Sequence, residues 1–465
     1  MLSIPLIAML SAVSTPGISP PEGGILLATS SDAKSPESGT AINKPDPTEN
    51  TAAPGEPAGH PPPPSPQDLL TRIEALESRE AQLASKPKEP STAGVFIQNR
   101  FNPDISVIAD FALVGANVSD ETAESLSIPG FFLDETEREG KAQGFNFNYL
   151  EFALTASVDP YFDFVGIIAL TPEAVHLEET YVTTRHLPFG FQLRLGKFLS
   201  AFGRLNGMHH HTWDFYDMPL VYEAFIGLEG FKNPGIRLSW TAPLDFLLQL
   251  NIEVFQGRPH EPRLFDARGY ELTAQNGTVF SSEQPFVPAM AVGSLKTSFD
   301  VGDHIFFAGA SVMYGHALQT RIDNDSGDWA YSAPGTILYG GELTYKYIIS
   351  SYRNVTWQSE ILGVVSSGDL ALASDDLIHK AKRRQGGFYT QLLWRFDENG
   401  RWRVGGRFDL LDQNSVTLDG EQDAHENMLQ RYTSMLEYSP TEYSRFRLQY
   451  AHDRSRFLDG ARKAV

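Results

Sequence analysis

A period-two alternation of apolar and polar residues recurs from about residue 101 to residue 453 and constrains the fold more than any other feature of the sequence. In the segment RWRVGGRFDLL, Trp402 and Phe408 alternate with Arg403 and Arg407, and the segments SRFRLQYAHD and FQLRLGKF repeat the pattern. Successive side chains of a β-strand point to opposite faces of a sheet, so each segment predicts a strand with one apolar and one polar face. The sequence therefore predicts an all-β fold.

The connections between these segments indicate how the strands are arranged. Short turns such as VDPY, TAPLD, SFDVGD, FDENG and SPTEY alternate with long polar segments, namely residues 116–143, 199–234, 257–288, 316–335, 366–386 and 412–428. Tight turns at one end and long loops at the other are typical of a transmembrane antiparallel up-and-down β-barrel of the bacterial outer membrane. Lipid offers no hydrogen bonds to the backbone, so such a barrel must close, with its apolar face toward lipid and its polar face toward the lumen. The alternative is a soluble all-β core.

The number of strands predicted from the pattern is odd. Fifteen alternating segments are recognised, the last ending at Asp453, whereas single-chain barrels of Gram-negative bacteria have an even number of strands. The tail RSRFLDGARKAV is too charged, and too interrupted by glycine, to serve as a sixteenth. We therefore expect a barrel of about 16 strands in which one strand is either unrecognised or missing from the C-terminal end of the sequence.

The first hundred residues have a different composition. Residues 1–29 begin with an apolar run followed by small residues, which predicts an export signal peptide, although no Lys or Arg precedes the run. The Pro-rich segment 30–66 predicts a disordered linker. In residues 67–86, heptad-spaced apolar side chains predict a short periplasmic helix that either oligomerises or lies alone on the surface. Residues 97–465 form the predicted barrel domain.

Composition and motifs exclude several classes of function. The chain has no cysteine, so disulfides and thiolate sites are excluded, and its net charge of -21 argues against a nucleic-acid partner. It has no GxSxG, P-loop or HExxH motif, and the segment HENML at 425–429 lacks the second histidine of HExxH. We therefore expect that the protein is not an enzyme.

Three short stretches carry a family resemblance. RLGKFLSAFGRLN (194–206), NPDIS (102–106) and EYSPTEYSRFRLQY (437–450) resemble phosphate-selective porins of the outer membrane. The resemblance covers residues 97–453 and is closer still to a subgroup labelled zinc-regulated outer-membrane receptors, in which a His-rich stretch follows FGRLN. It implies a trimeric passive channel that contacts outer-membrane lipid and conducts ions and small polar or anionic solutes.

Arginines on the polar faces of the strands match the arginine ladder of that family. The predicted lumen-lining residues are Arg194, Arg237, Arg395, Arg401, Arg403, Arg407, Arg431, Arg445 and Arg447. A ring of guanidinium groups would favour anions in a confined aqueous channel. Inward acids such as Glu342, Glu360, Asp409 and Glu437 allow the alternative that the arginines only form ion pairs that stiffen the barrel. The lysine cluster of the phosphate porins is absent from the loops.

The segment GMHHHTWDFYD begins the long loop after the arginine-bearing strand at 191–198, and three interpretations are open. His209, His211 and Asp214 could hold zinc, because imidazole and carboxylate suit that ion. The loop could instead be solvated. We favour a loop that folds into the barrel and narrows the pore, because it is rich in aromatic residues. The predicted constriction residues are Arg204, His209, His210, His211, Trp213, Asp214 and Asp217. We expect no cofactor; a zinc-associated receptor and a closed structural barrel are the alternative functions.

Overall fold

The structure is a computed structural model that describes residues 4–14, 103–121, 126–127, 142–258, 264–283, 287–321, 328–374, 377–412, 415–424, 428–455 and 457–458. Its main strands are β1 (Ile4–Ser14), β2 (Asp104–Val114), β3 (Gly144–Ser157), β4 (Phe162–Leu170), β5 (Val175–Thr184), β6 (Phe191–Leu199), β7 (Lys232–Thr241), β8 (Leu247–Phe255), β9 (Met290–Val301), β10 (His304–Arg321), β11 (Trp329–Ile348), β12 (Asn354–Leu372), β13 (Leu377–Arg395), β14 (Trp402–Leu411), β15 (Leu429–Thr441) and β16 (Ser444–Asp453).

These sixteen strands form one closed antiparallel ring. Each strand from β2 to β15 pairs with the next strand along the chain, and β1 pairs with both β2 and β16. The architecture is therefore an up-and-down β-barrel, as the sequence predicts. The hairpin formed by Ser415–Leu418 and Glu421–Ala424 extends the sheet from β13. Separate two-stranded pairings join Tyr270–Thr273 to Val279–Ser282 and Leu126–Ser127 to Phe457–Leu458.

The fifteen strands predicted from alternation are all present, and the sixteenth is β1. The alternation pattern does not reveal β1, because its sequence IPLIAMLSAVS is almost uniformly apolar. Its register places Ala8 opposite Leu113 and Leu448, and Ser11 opposite Asp110 and Arg445. The ring closes with this segment, whereas the sequence analysis sought the missing strand after Asp453. The export-signal assignment of residues 1–29 stays a prediction, and the predicted linker 30–66 and helix 67–86 lie outside the described residues.

The two faces of the barrel wall differ in polarity as period two requires. On β16, Phe446, Leu448 and Tyr450 are 44%, 42% and 43% exposed, whereas Arg447 and Gln449 are 3% and 1% exposed. Side chains that alternate along a strand point to opposite faces, so the apolar set lies outside the ring and the polar set inside. Among the residues that the structure describes, no helix is long and apolar enough to cross a membrane.

Two of the segments predicted as long loops are largely strand. Residues 316–335 and 366–386 contribute to β10, β11, β12 and β13, which have 18 to 20 residues each. The prediction of loops was wrong here because the alternation of apolar and polar residues weakens. Leu370 and Tyr331 are buried in the core, and Ala330 and Ala371 pack with the hairpin residues Leu272 and Phe280. Apolar packing of this kind supports strand pairing where the lipid-facing pattern ends.

Candidate functional site

The connection between β6 and β7, residues 200–231, contacts the inward-facing residues of the barrel, and we call it the inner loop. It contains the helix α1 (Leu220–Phe225) and short 3₁₀ turns at Leu205–Gly207 and His210–Thr212. Trp213, Phe215 and Phe225 are buried, as is nearly all of α1. A solvated loop would leave such side chains in water at a cost of about 1.5 to 3 kcal/mol each. Packing against the barrel wall removes this cost.

The beginning of the inner loop is fixed to β12 by one carboxylate. Glu360, which is buried, accepts hydrogen bonds from the backbone N–H of Arg204 at 2.9 Å, from the Tyr222 hydroxyl at 2.7 Å and from the Tyr389 hydroxyl at 2.5 Å. Gly203 has a φ of 59°, and a Cβ atom there would lie 2.7 Å from Glu360 Oε2. The glycine of the FGRLN stretch is therefore required both by the left-handed backbone and by the close approach of this carboxylate.

Lys296 on β9 and Ser311 on β10 complete this anchor. The Lys296 ammonium group donates a hydrogen bond to the Gly203 carbonyl at 2.5 Å, and the Gly203 N–H donates one to the Ser311 hydroxyl at 3.1 Å. Lys296 also lies 3.4 Å from Glu342 on β11. Buried polar groups destabilise a structure unless they are paired. Side chains of the barrel wall thus form hydrogen bonds with both the N–H and the carbonyl group of Gly203.

Asp214 forms an ion pair with Arg403 on β14 and accepts a hydrogen bond from the side chain of Gln391 at 3.0 Å. Arg403 also reaches Glu437 on β15 at 2.9 Å, and Glu437 lies 2.9 Å from Arg447. The two arginines share one carboxylate of the wall, so the inner loop supplies the second negative charge through Asp214. Asp214 thus fixes the middle of the loop to β13 and β14.

Asp217 connects the inner loop to three further groups of the wall. Its carboxylate lies 2.7 Å from Arg407, 3.2 Å from Arg431, and accepts a hydrogen bond from Gln449 at 2.5 Å. Arg407 also lies 2.9 Å from Asp409. Burial alone would raise the pKa of Asp217, but the charges of Arg407 and Arg431 outweigh it and lower the pKa to about 2. Asp217 is therefore ionised throughout the physiological range.

His209 lies between carboxylates of two strands. Its Nε2 atom is 2.7 Å from Glu179 on β5, and its Nδ1 atom is 3.6 Å from Glu151 on β3. Burial alone would lower the pKa of His209, but the hydrogen bond and charge of Glu179, together with Glu151, raise it to about 9. An imidazolium at position 209 therefore balances these buried acids at neutral pH.

The two histidines that follow have different surroundings. His210 packs at a ring distance of 4.8 Å from Trp213, and its Nε2 atom lies 2.7 Å from the Tyr216 carbonyl. His211 stacks on His209 with ring centroids 5.9 Å apart, and its buried Nδ1 atom makes no hydrogen bond. Burial and the neighbouring His209 lower the pKa of His211 well below its usual value, so His211 is neutral.

The structure does not bring the predicted zinc ligands together. His209 and His211 face Glu151, whereas Asp214 is paired with Arg403. Within the described ranges, no three His, Asp or Glu side chains are arranged to hold a metal ion. The acids that face the histidines, Glu151 and Glu179, were missed by the sequence analysis. Their inward position on β3 and β5 was the only available signal for them.

The predicted lumen arginines differ in their surroundings. Arg407, Arg431 and Arg447 are buried in ion pairs, Arg237 pairs with Glu253, and Arg403 and Arg445 share Glu437 at the partly exposed side. Arg194 lies over the Tyr181 ring at 4.1 Å, and Arg395 is partly exposed without an acidic partner among the described residues. Arg401 lies in the turn before β14, outside the strands of the wall, and its side chain is exposed.

Two further cations lie near Arg395, namely Lys346, which was not predicted, and Arg204, which was predicted as a constriction residue. Lys346 on β11 and Arg204 of the inner loop are partly exposed, and neither has an acidic partner within ion-pair distance among the described residues. Arg204 lies 5.6 Å from the Phe307 ring. Lys346 was not predicted because the predicted lumen-lining set contains only arginines.

Comparison with known proteins gives one relative in sequence. A protein of Aquifex aeolicus (strain VF5), described only as uncharacterized, is 38% identical over 374 residues, which cover 80% of this chain and 77% of that protein. This chain belongs to the same family as the Aquifex protein. No family model matches the sequence. The resemblance of this family to phosphate-selective porins and to the zinc-regulated subgroup stays a prediction.

Solved structures with similar folds include outer-membrane channels and porins. The outer membrane channel DcaP of Acinetobacter baumannii is 11% identical with a TM-score of 0.39, over 76% of this chain and 97% of that one. OmpT, an outer membrane protein of Vibrio cholerae, is 9% identical with a TM-score of 0.31, over 66% and 88%. A porin structure is 11% identical with a TM-score of 0.33, over 67% and 94%.

Proposed function

We propose that this protein is a passive, porin-like channel of the bacterial outer membrane, in which the inner loop narrows the passage. The observation that carries the proposal is the set of ion pairs between the loop and the inner wall, formed by His209, Asp214 and Asp217. These pairs hold a polar loop surface inside a ring whose outer surface is apolar. That combination is expected of a pore in lipid.

The outer face of the barrel supports the membrane location. Large apolar side chains such as Ile361 on β12, Leu392 on β13, and Leu448 and Tyr450 on β16 are exposed on the outside of the barrel. In water, apolar surface costs about 25 cal/mol per Å², and a continuous belt of it would drive aggregation. In lipid the same belt is stabilising, and the closed ring leaves no unpaired strand edge.

The charges beside the inner loop favour anions as the transported solutes. Arg204, Lys346 and Arg395 have no acidic side chain within ion-pair distance among the described residues, and three arginines, Arg403, Arg445 and Arg447, share the two carboxylates of Glu437 and Asp214. This excess of positive charge contrasts with a whole-chain net charge of -21. Guanidinium and ammonium groups in a confined aqueous channel lower the barrier for anions and offer bidentate contacts to carboxylate or phosphate.

Planar-bilayer recordings with the purified full-length protein test both parts of the proposal. We expect stepwise conductance and, under a salt gradient, a reversal potential that indicates anion preference. The double variant Lys346→Gln with Arg395→Gln should lower that preference, whereas Arg401→Gln, in an exposed turn, should leave it unchanged. Absence of any conductance steps would contradict the channel function. Equal selectivity of all three proteins would contradict the anion preference alone.

The oligomeric state belongs to the same proposal. The phosphate-selective porins that this chain resembles are trimers, and the heptad-spaced apolar residues of the predicted helix 67–86 would allow three copies to associate. Mass measurement of the detergent-purified complex should give three copies, and removal of residues 67–86 should weaken the association.

A further inference from the structure

The contacts of His209 are unusual because both nitrogens of one imidazole face buried carboxylates on different strands. Nε2 lies 2.7 Å from Glu179 Oε1 and Nδ1 lies 3.6 Å from Glu151 Oε2, and each of these acids is only 5% exposed. A neutral imidazole has a single N–H group and an imidazolium has two. Only the protonated ring can therefore donate toward both acids at once.

The position of His209 in the inner loop gives these contacts a mechanical consequence. Its carbonyl accepts hydrogen bonds from the Thr212 backbone N–H at 2.9 Å and from the Thr212 hydroxyl at 2.7 Å, which closes the turn His210–Thr212. Glu179 also accepts a hydrogen bond from the Leu199 N–H at 2.8 Å, where β6 ends and the loop begins. Glu179 therefore fixes both the beginning of the loop and its histidine turn to β5.

We propose that His209 is a protonation-controlled latch of the inner loop. As an imidazolium it ties the histidine turn to β3 and β5 through Glu151 and Glu179. Loss of the proton leaves two buried carboxylates facing a neutral ring, and the turn is released from this side of the wall. Removing one partner of a buried charged pair is strongly destabilising because the other charge stays uncompensated.

Other charged groups around the latch do not replace His209. The titratable and charged groups that face it or its partners are Tyr149, Glu151, Glu178, Glu179, Arg194, Lys232, His210, His211 and Arg445. Lys232 is engaged with Glu178 and Glu229, and Arg445 donates to the His211 carbonyl. His211 stays neutral because its pKa is lowered. The proton that matters therefore belongs to His209.

The direction of the pH dependence follows from the sign of the shift. The pKa of His209 is about 9 in the folded protein, above the ordinary value of about 6.5. The stabilisation of the histidine turn by His209 is therefore complete below about pH 6.5 and is lost as the pH rises through about 9. At neutral pH the latch is closed.

A histidine titration tests the latch without relying on the channel function. In protein labelled with ¹⁵N at histidine, one imidazole should remain protonated at pH 8 and titrate near 9, and its signal should be absent from His209→Gln. Glu179→Gln should move that midpoint toward the ordinary value while the protein stays folded. A wild-type His209 that titrates near 6.5 would overturn the latch.

Bilayer recordings test whether deprotonation of His209 changes the conductance. This second test rests on the proposed channel function. Wild-type channels should gain frequent conductance fluctuations between pH 7 and pH 10, and His209→Gln should show them at both values. The control His304→Gln, at the first residue of β10, should keep the wild-type pH response. A pH response that persists unchanged in His209→Gln would overturn the inference. If no form conducts while the titration is as expected, the channel function fails and the latch stands.

Discussion

Replacement of Asp217 by asparagine tests how firmly the inner loop is held. The folded pKa of about 2, compared with an ordinary value of 3.8, corresponds to about 2 kcal/mol of preferential interaction with the ionised form. Asp217 is buried except for about a fifth of its side chain, so solvent screening makes this value an upper bound. Asparagine keeps the shape of the side chain but removes the charge that faces Arg407 and Arg431.

We therefore expect Asp217→Asn to shift the equilibrium between docked and undocked loop by up to about 30-fold, since 1.4 kcal/mol is tenfold. Single-channel recording measures this as the fraction of time spent at a higher conductance level. The matched control is Asp245→Asn in the exposed turn between β7 and β8. Indistinguishable dwell times in the two variants would refute the role of the Asp217 ion pairs.

The ion pairs of Asp217 with Arg407 and Arg431 also predict that docking of the inner loop weakens in acid. Because the pKa of Asp217 is lowered in the folded protein, its contribution to loop docking is present above about pH 3.8 and is lost as the pH falls through about 2. Wild-type channels should therefore become noisier in this acid range, and Asp217→Asn should show no further change there.

Three further predictions concern the loop anchor and the barrel wall. Glu360→Gln should weaken the anchor by about 1 to 3 kcal/mol and increase conductance fluctuations, whereas Glu398→Gln, in an exposed turn, should not; equal recordings would contradict the anchor. Gly203→Ala should destabilise the docked loop by about 1 to 3 kcal/mol because of its positive φ, while Gly207→Ala, where no atom lies within 4 Å of the added Cβ, should be tolerated in the same assay. Leu448→Arg should destabilise folding into lipid by about 2 to 4 kcal/mol, measured by the heat-dependent electrophoretic shift of the folded barrel; unchanged folding would place Leu448 away from lipid.

The strands could be predicted because their signal is local. Each alternating segment carries its own two faces, so β14 and β16 could be delimited from a dozen letters of sequence. The strand β1 could not, because a uniformly apolar run such as Ile4–Ser14 has no polar face and fits a signal peptide equally well. The ends of β10 to β13 were predicted as loops for a related reason, since Tyr331, Leu370 and Ala371 there pack on protein.

The inner loop was predicted in part. Its aromatic residues indicated packing inside the barrel, and the arginines of the wall were recognised by their alternation. The pairs that hold the loop could not be predicted, because Asp217 and Arg407 are 190 residues apart and His209 and Glu179 are 30 apart. Alternation shows that a residue points inward, but only the closed ring fixes which strand lies opposite and at what height. Asp214, expected near the histidines, therefore lies against Arg403 instead.

The most direct test of the central claim is the conductance of a channel without its inner loop. Deletion of residues 207–229 would join Asn206 to Gly230, and the Asn206 side-chain oxygen already accepts a hydrogen bond from the N–H of the next residue, Phe231, at 2.6 Å. We predict that the shortened protein folds as a barrel and conducts with larger, quieter steps than the full-length protein in planar bilayers. Equal conductance of the two proteins, or no conductance from either, would contradict the claim that this loop narrows an open passage.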